Sequence, residues 1–177
     1  MNLPAHVSAR THRHRRPEQV ILFLVSGQSF AIAADTVKEI RSTDSLASAA
    51  IEFESLEVPK VRHVIERDRR MCYVVNGCSH FGLPVSRPAL ALVLRQFRVA
   101  FLVDSVDRIA EIPAVYALPL AFSGEERTWY RGLAYIEDHV IPVVHPGGFL
   151  TREQFEQLDR LAPGAAAQPH AEGVAPA

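Results

Sequence analysis

Cysteine and long apolar runs are scarce in this sequence. The 177 residues include only two cysteines, Cys72 and Cys78, too few for a disulfide-stapled scaffold of this length, and their scarcity favours a reducing compartment. No apolar run approaches the ~20 residues that a transmembrane helix needs. The basic N-terminal segment is not followed by the apolar stretch of a signal peptide. We therefore expect a cytoplasmic protein that does not insert into a membrane.

The sequence also lacks the common signatures of catalysis. It has no glycine-rich phosphate loop, no nucleophile elbow and no pair of carboxylates at a repeated spacing. His63, Cys72, Cys78 and His80 carry metal-binding atoms, but their spacing matches no zinc pattern, and Cys72 suits a strand interior as a small apolar group. The expectation is a protein that is not an enzyme and has no catalytic residues, metal or cofactor.

Charge is nearly balanced over the whole chain but unevenly distributed. The formal net charge is −1, which selects no class of partner. Four arginines, Arg10, Arg13, Arg15 and Arg16, lie in residues 1–16 without an acid, so the rest of the chain has 15 basic and 20 acidic side chains. Such an arm could neutralise phosphates, and a nucleic-acid-binding small-barrel protein is therefore the alternative function. The acidic body, without basic residues beside exposed aromatics, argues against it.

Two distant blocks of the chain look like copies of one another. Residues 34–40 align with 103–109, and Val74-Val75 aligns with Val143-Val144, at an offset of 69 residues, which is 104 minus 35 and also 144 minus 75. Arg62 meets Arg131 at the same offset. One offset shared by separate blocks indicates a duplicated supersecondary unit. Because a duplication presents two similar surfaces, it favours binding over chemistry.

Short β-rich runs bounded by turn residues predict four hairpins. Their strands are expected at residues 20–25 and 29–33, 61–65 and 71–75, 90–94 and 99–103, and 130–136 and 140–144. Asp35 and Asp104 each precede a Val-x-x-Ile pattern, where an aspartate could cap a short helical turn. Residues 151–161 form the one expected helix, because Thr151 and Gln154 make a capping-box pattern.

Open strand edges invite edge-to-edge pairing, so closure into small barrels is expected. The predicted fold is all-β, with two packed five-stranded barrels related by the duplication and a short C-terminal helix against them. We expect three regions: a disordered basic arm at residues 1–18, the folded domain at 19–161 and a disordered Ala/Pro-rich tail at 162–177.

Several blocks together resemble the CheW-like domain of bacterial chemotaxis systems. They are Val37-Lys38-Glu39-Ile40, the run VAFLVDSV at 99–106, Tyr130-Arg131-Gly132 and VIPVV at 140–144, followed by the helix after Leu150. The resemblance covers about residues 19–161 and implies SH3-like barrels in a coupling protein without an active site. It also implies two partners: the regulatory domain of a CheA-type histidine kinase and the cytoplasmic tip of a methyl-accepting chemoreceptor.

The resemblance places partner contacts at Val37, Glu39 and Ile40. A hairpin rich in arginine adds Arg62, Arg67, Asp68 and Arg69, since guanidinium groups bind carboxylates through paired hydrogen bonds. Trp129 and Arg131 are secondary candidates. The alternatives stay open: Val37, Ile40 and Trp129 could belong to the core, and the charged groups could simply be solvated.

The first copy departs from the family at one turn. Members usually carry Asn-Leu-Arg-Gly where this chain has Glu66, Arg67, Asp68 and Arg69, so an acid replaces an arginine and an arginine replaces a glycine. Asn76-Gly77 and His145-Pro146 also differ from the usual aspartate and leucine. We expect a reshaped turn and a divergent coupling protein dedicated to its own partners.

Overall fold

The computed structural model describes residues 17–53 and 55–162. Eleven strands and four α-helices are found in this part of the chain. The strands are β1 (Glu18–Val25), β2 (Gln28–Ala33), β3 (Val37–Ser42), β4 (Ala50–Glu52), β5 (Val61–Arg67), β6 (Arg70–Asn76), β7 (Leu90–Leu94), β8 (Val99–Val103), β9 (Ser105–Ile112), β10 (Tyr130–Ile136) and β11 (His139–Val144). The helices are α1 (Thr43–Ala47), α2 (Gly77–Phe81), α3 (Glu126–Trp129) and α4 (Arg152–Leu161).

The strands form two sheets with matching orders. The first barrel has the order β10-β11-β2-β1-β9, and the second has β3-β7-β8-β6-β5-β4. Under the 69-residue offset, β5 and β6 correspond to β10 and β11. The two sheets therefore repeat one arrangement, with β4 as a sixth strand in the second. The mainly β fold predicted from the sequence is confirmed.

Each barrel combines strands from both copies of the repeat. The hairpin β1–β2 of the first copy joins β9, β10 and β11 of the second, through a parallel contact of β2 with β11. The hairpin β7–β8 of the second copy likewise joins β3, β5 and β6 of the first, where β8 runs parallel to β6. The copies have thus exchanged hairpins, a feature that the expectation of one barrel per copy did not include.

The outer strands of each sheet are brought together. In the first barrel, Tyr116 follows β9 and makes two backbone hydrogen bonds of 2.8 and 2.9 Å with Leu133 of β10. Gly132 permits this approach, because a Cβ there would lie 2.2 Å from the Tyr116 carbonyl oxygen. In the second barrel, α1 links β3 to β4, the two outer strands.

Apolar side chains are buried in three clusters. The largest includes Phe23, Phe101 and Phe149 and packs strands of both barrels against each other. The two others fill one barrel each; the first contains Leu22 and Ala134, and the second contains Ile65, Cys72 and Val93. Alternation along β1 explains the division, since successive side chains point to opposite faces of a strand.

The aspartate caps expected at residues 35 and 104 are wrong. Asp35 lies in a 3₁₀ turn without a side-chain cap. Asp104 instead accepts hydrogen bonds from the Ser26 backbone N–H, at 2.6 Å, and from the Ser86 hydroxyl, so it ties two loops together. The Val-x-x-Ile segments that follow belong to β3 and β9, whose backbone groups pair with β7 and β1.

Helix α4 begins at the predicted position and packs on the barrels. Thr151 and Gln154 form the capping box, with hydrogen bonds of 3.2 and 3.1 Å. Leu158 is fully buried in the central cluster. Within the described residues, the helices are too short or too polar to cross a bilayer. Residues 1–16 of the predicted arm (1–18) and nearly all of the predicted tail (162–177) lie outside the described residues, whereas Glu18 belongs to β1.

Candidate docking surface

Two ion pairs join β3 to the turn between β5 and β6. The Arg67 guanidinium donates a short hydrogen bond to the Glu39 carboxylate, and Lys38 Nζ lies 3.0 Å from Asp68 Oδ2. Arg67 also lies 3.8 Å from Asp68 through its Nε. The pairs link residues 28 and 30 positions apart in the chain. We call Lys38, Glu39, Arg67, Asp68 and Arg69 the docking surface.

The pairs favour the charged forms of both acids. The hydrogen bond from Arg67 holds the pKa of Glu39 below its usual value, although partial burial opposes this shift. The hydrogen bond from Lys38 lowers the pKa of Asp68 in the same way. Around neutral pH the docking surface therefore presents fixed charges of both signs. Arg67 is the least exposed of the four paired side chains, so it anchors the arrangement.

The turn beside these pairs is tight. Arg67 pairs with Arg70, so only Asp68 and Arg69 form the loop. Their φ angles are +48° and +59°, the left-handed values that two-residue hairpin turns require. Arg69 thus adopts a glycine-like conformation at a cost of about 1 kcal/mol. The loop is therefore a two-residue turn with left-handed φ at both positions.

Val37 and Ile40 differ in their surroundings. Val37 is buried in the central cluster, with only 7% of its surface exposed. Ile40 is 43% exposed and lies on β3, next in sequence to Glu39. Of the three residues in the Val-x-Glu-Ile pattern, Glu39 and Ile40 are therefore accessible.

The other predicted residues lie elsewhere. Arg62 is exposed on β5, five positions before Arg67. Trp129 is partly buried against His80, with ring centroids 4.7 Å apart, and belongs to the junction of the barrels. Arg131 makes two hydrogen bonds of 2.6 Å to Glu18 in the first barrel. Folding brings Glu39 together with Arg67 and Asp68, but not with these three.

The four residues with metal-binding atoms, His63, Cys72, Cys78 and His80, differ in their surroundings. Cys72 fills the second barrel, and burial raises the pKa of its thiol to about 11. Cys78 lies in the central cluster, His80 is buried among aromatic rings, and His63 is exposed on β5. No group of three metal-binding side chains occurs in the part of the chain that the structure describes.

A family model of the CheW-like domain matches residues 19–154, which include both barrels. The chain belongs to this family. None of the curated proteins matches it. Among solved structures, the crystal structure of the scaffolding protein TtCheW from Thermoanaerobacter tengcongensis is similar, with a TM-score of 0.61 and 15% sequence identity over 80% of this chain and 93% of that one. At 15% identity, this similarity shows a shared fold alone. CheW-like domains act as scaffolds and adaptors in chemotaxis signal transduction.

This CheW-like domain carries a second charged turn that the site prediction missed. Arg108 of β9 pairs with Asp107 and Glu137, with N–O distances of 2.9 and 2.7 Å. Residues 108 and 137 are 69 positions after Glu39 and Asp68, and Glu137 and Asp138 also have positive φ. The repeat offset was the signal that could have identified this turn. Lys38 was missed as well, although it directly precedes Glu39 in the sequence.

Proposed function

We propose that the chain is an adaptor that couples methyl-accepting chemoreceptors to a CheA-type histidine kinase and catalyses no reaction itself. One observation carries this proposal: β3, where the resemblance places partner contacts, and the arginine-rich β5–β6 turn meet through two ion pairs on one surface. Family membership supplies the class of partner.

The composition of the docking surface suits protein recognition. Lys38 and Glu39 form ion pairs with Asp68 and Arg67, and Ile40 adds exposed apolar area beside these charges. Arg69 and Arg70 are exposed and make no ion pair among the described residues. Arginines of this kind bind carboxylates with defined geometry. The surface thus offers an apolar contact with charges around it, as protein interfaces commonly do.

The adaptor is further proposed to be dedicated to its own partners. Asp68 stands where the family usually has arginine, and Lys38 holds its carboxylate in place. A partner that presents an acid to the usual arginine would meet a like charge here, which costs several kcal/mol in a partly desolvated interface. The cognate kinase or receptor should therefore present a cation to Asp68.

The test is a double charge swap. Glu39→Arg combined with Arg67→Glu keeps the ion pair but reverses both charges. Its affinity for the regulatory domain of the cognate CheA-type kinase, measured by isothermal titration calorimetry, should fall by more than about tenfold because like charges then face each other.

The repeat provides a matched control. Arg108→Glu with Glu137→Arg swaps an ion pair at the equivalent turn of the first barrel and should leave the affinity unchanged. Both double variants should keep the unfolding temperature of the parent protein. Undiminished kinase binding by the Glu39/Arg67 swap would contradict the proposed surface.

A further inference from the structure

A groove on the second barrel shares no residue with the docking surface. It is a cavity of about 610 Å³ beside β5, β6 and the segment 82–89 that connects α2 to β7. Val74, Leu83 and Leu102 contribute apolar wall, and Asn76 and Ser79 contribute polar groups. Its volume lies within the range of about 300–1,000 Å³ that is typical of small-molecule sites.

A smaller apolar cavity adjoins this groove. Its volume is about 170 Å³, and Leu46, Ala47 and Ala50 close it on the side of α1. His63, Val74, Pro88 and Leu102 line both cavities. A ligand in the groove could therefore extend an apolar chain along this shared wall.

Two cations lie at the larger cavity. Lys60 and Arg62 both line it, and no ion pair within residues 17–53 and 55–162 involves either of them. Lys60 is partly buried, and its Nζ lies 3.4 Å from Nδ1 of His80. Since an ammonium group has three donors, two remain for another acceptor. Burial lowers the pKa of Lys60, and the charge of Glu125 opposes this shift, so a further anion beside the ammonium group would favour its charged form.

We propose that this groove binds a small amphipathic monocarboxylate, such as a medium-chain acid. The carboxylate lies between Lys60 and Arg62, and the alkyl chain follows Val74 and Leu102 towards the smaller cavity. Charge complementarity at one end and apolar wall at the other select this class of ligand over neutral molecules.

The probe is octanoate, titrated into the full-length protein by calorimetry and by two-dimensional amide NMR. We expect saturable binding at one site, with the largest shifts at Val74, Leu83 and Leu102. Octanol should bind at least tenfold more weakly, because it lacks the charge. Affinity should rise about fourfold for each added CH₂ from hexanoate to octanoate.

Different substitutions test the cationic end and the apolar end of the site. Lys60→Gln and, independently, the exposed Arg62→Gln should each weaken octanoate binding at least tenfold. Arg87→Gln is the matched control, since Arg87 is an exposed cation on the same connecting segment but lines neither cavity. Ala50→Phe should fill the smaller cavity and remove the gain between hexanoate and octanoate.

Several results would overturn the assignment. They are equal binding of octanol and octanoate, an affinity insensitive to both Lys60→Gln and Arg62→Gln in folded variants, or shifts confined to other surfaces. If octanoate bound only after deletion of residues 1–16 or 163–177, the deleted segment would be the natural occupant of the groove. This result would also overturn the proposed ligand.

Discussion

The His80 imidazole lies among aromatic rings and keeps only 3% of its surface exposed. Phe101 and Phe149 present their rings edge to face with it, at centroid distances of 5.9 and 5.4 Å. Burial, together with the positive charge of Lys60, lowers the pKa of His80 to about 3. The folded protein therefore holds this histidine neutral where an unfolded chain would protonate it.

Acidification from pH 7 to pH 5 should destabilise the fold through His80. The folded-state pKa lies below the unfolded value of about 6.5, so the stabilising contribution is complete above pH 6.5 and is lost as the pH falls towards 3. The free energy of unfolding should drop by about 2 kcal/mol more in the parent protein than in His80→Phe over this interval. Urea denaturation at the two pH values measures the difference.

His63→Gln is the control for this prediction, because His63 is an exposed histidine on a neighbouring strand. It should show the same pH dependence as the parent. An equal loss of stability in His80→Phe and the parent would mean that His80 is protonated in the folded state.

For single residues, the sequence predicted some candidate contacts but neither their ion-pair partners nor their burial. Glu39 was predicted to contact a partner from the Val-x-Glu-Ile pattern, and its side chain is partly exposed. The partner of Glu39 was not predicted, because Arg67 reaches it only when β3 and β5 enter one barrel. Val37 is buried by the same strand pairing. Local patterns thus indicate which residues matter, whereas burial and pairing depend on contacts far away in the sequence.

At the scale of elements, helix α4 is attached to the second barrel by a polar cluster. Asp159 accepts two hydrogen bonds from Arg98, at 2.8 and 2.7 Å, and one of 2.5 Å from the Tyr73 hydroxyl. The Arg98 guanidinium also lies over the rings of Tyr73 and Phe155, at 5.7 and 5.2 Å from their centroids. The hydrogen bond from Arg98 lowers the pKa of Asp159.

Removal of the Asp159 charge should loosen this helix. Asp159→Asn weakens the hydrogen bonds from Arg98 and Tyr73, and we expect it to lower the free energy of unfolding by about 1–2 kcal/mol. Amide hydrogen exchange in α4 should accelerate more than exchange in β6. Urea denaturation and exchange NMR are the two measurements.

A second ion pair on the same helix serves as the comparison. Arg152 pairs with Glu156 one turn later, but the Arg152 side chain is 92% exposed. Arg152→Gln should therefore change the stability by less than about 0.5 kcal/mol. Equal effects of the two substitutions would show that the Asp159 cluster contributes no more than a solvated pair.

The elements also show where sequence patterns stop being informative. The eight hairpin strands were predicted close to their observed bounds, because each consists of a short apolar run between turn residues. Strands β3 and β9 were mistaken for helical turns. Their backbone hydrogen bonds go to distant strands: Val37 of β3 pairs with Leu94 of β7, and Ile112 of β9 pairs with Glu18 of β1. Nothing in their own residues specifies such partners.

At the scale of the whole molecule, the exchange of hairpins makes the two repeats interdependent. The hairpin β1–β2 pairs with β9 and β11, both of the second copy. A fragment that contains only the first copy would leave both edges of that hairpin unpaired, and isolated hairpins are marginally stable in water. Two autonomous barrels, one per copy, would not have this property.

We therefore predict that fragments 1–85 and 86–177 are unfolded separately and fold when mixed. The break lies beside Val85, which is 96% exposed on the segment between α2 and β7. Near-ultraviolet circular dichroism should show tertiary structure only in the mixture, and light scattering should give the mass of one copy of each fragment. A fragment that unfolds cooperatively as a monomer would contradict the interdependence.

Side-chain sizes argue for the mixed pair over two copies of one fragment. In the first barrel the interior combines the larger Leu22 of a hairpin with the smaller Ala134, and in the second it combines the smaller Val93 with the larger Ile65. Two copies of the first fragment would bring Leu22 and Ile65 into one interior, and overpacking typically costs about 1–3 kcal/mol. Two copies of the second fragment would leave a void beside Val93 and Ala134.

The substitution Ile65→Ala should relieve the overpacking of Leu22 against residue 65 and allow fragment 1–85 to dimerise. Light scattering distinguishes this dimer from the monomer that is expected without the substitution.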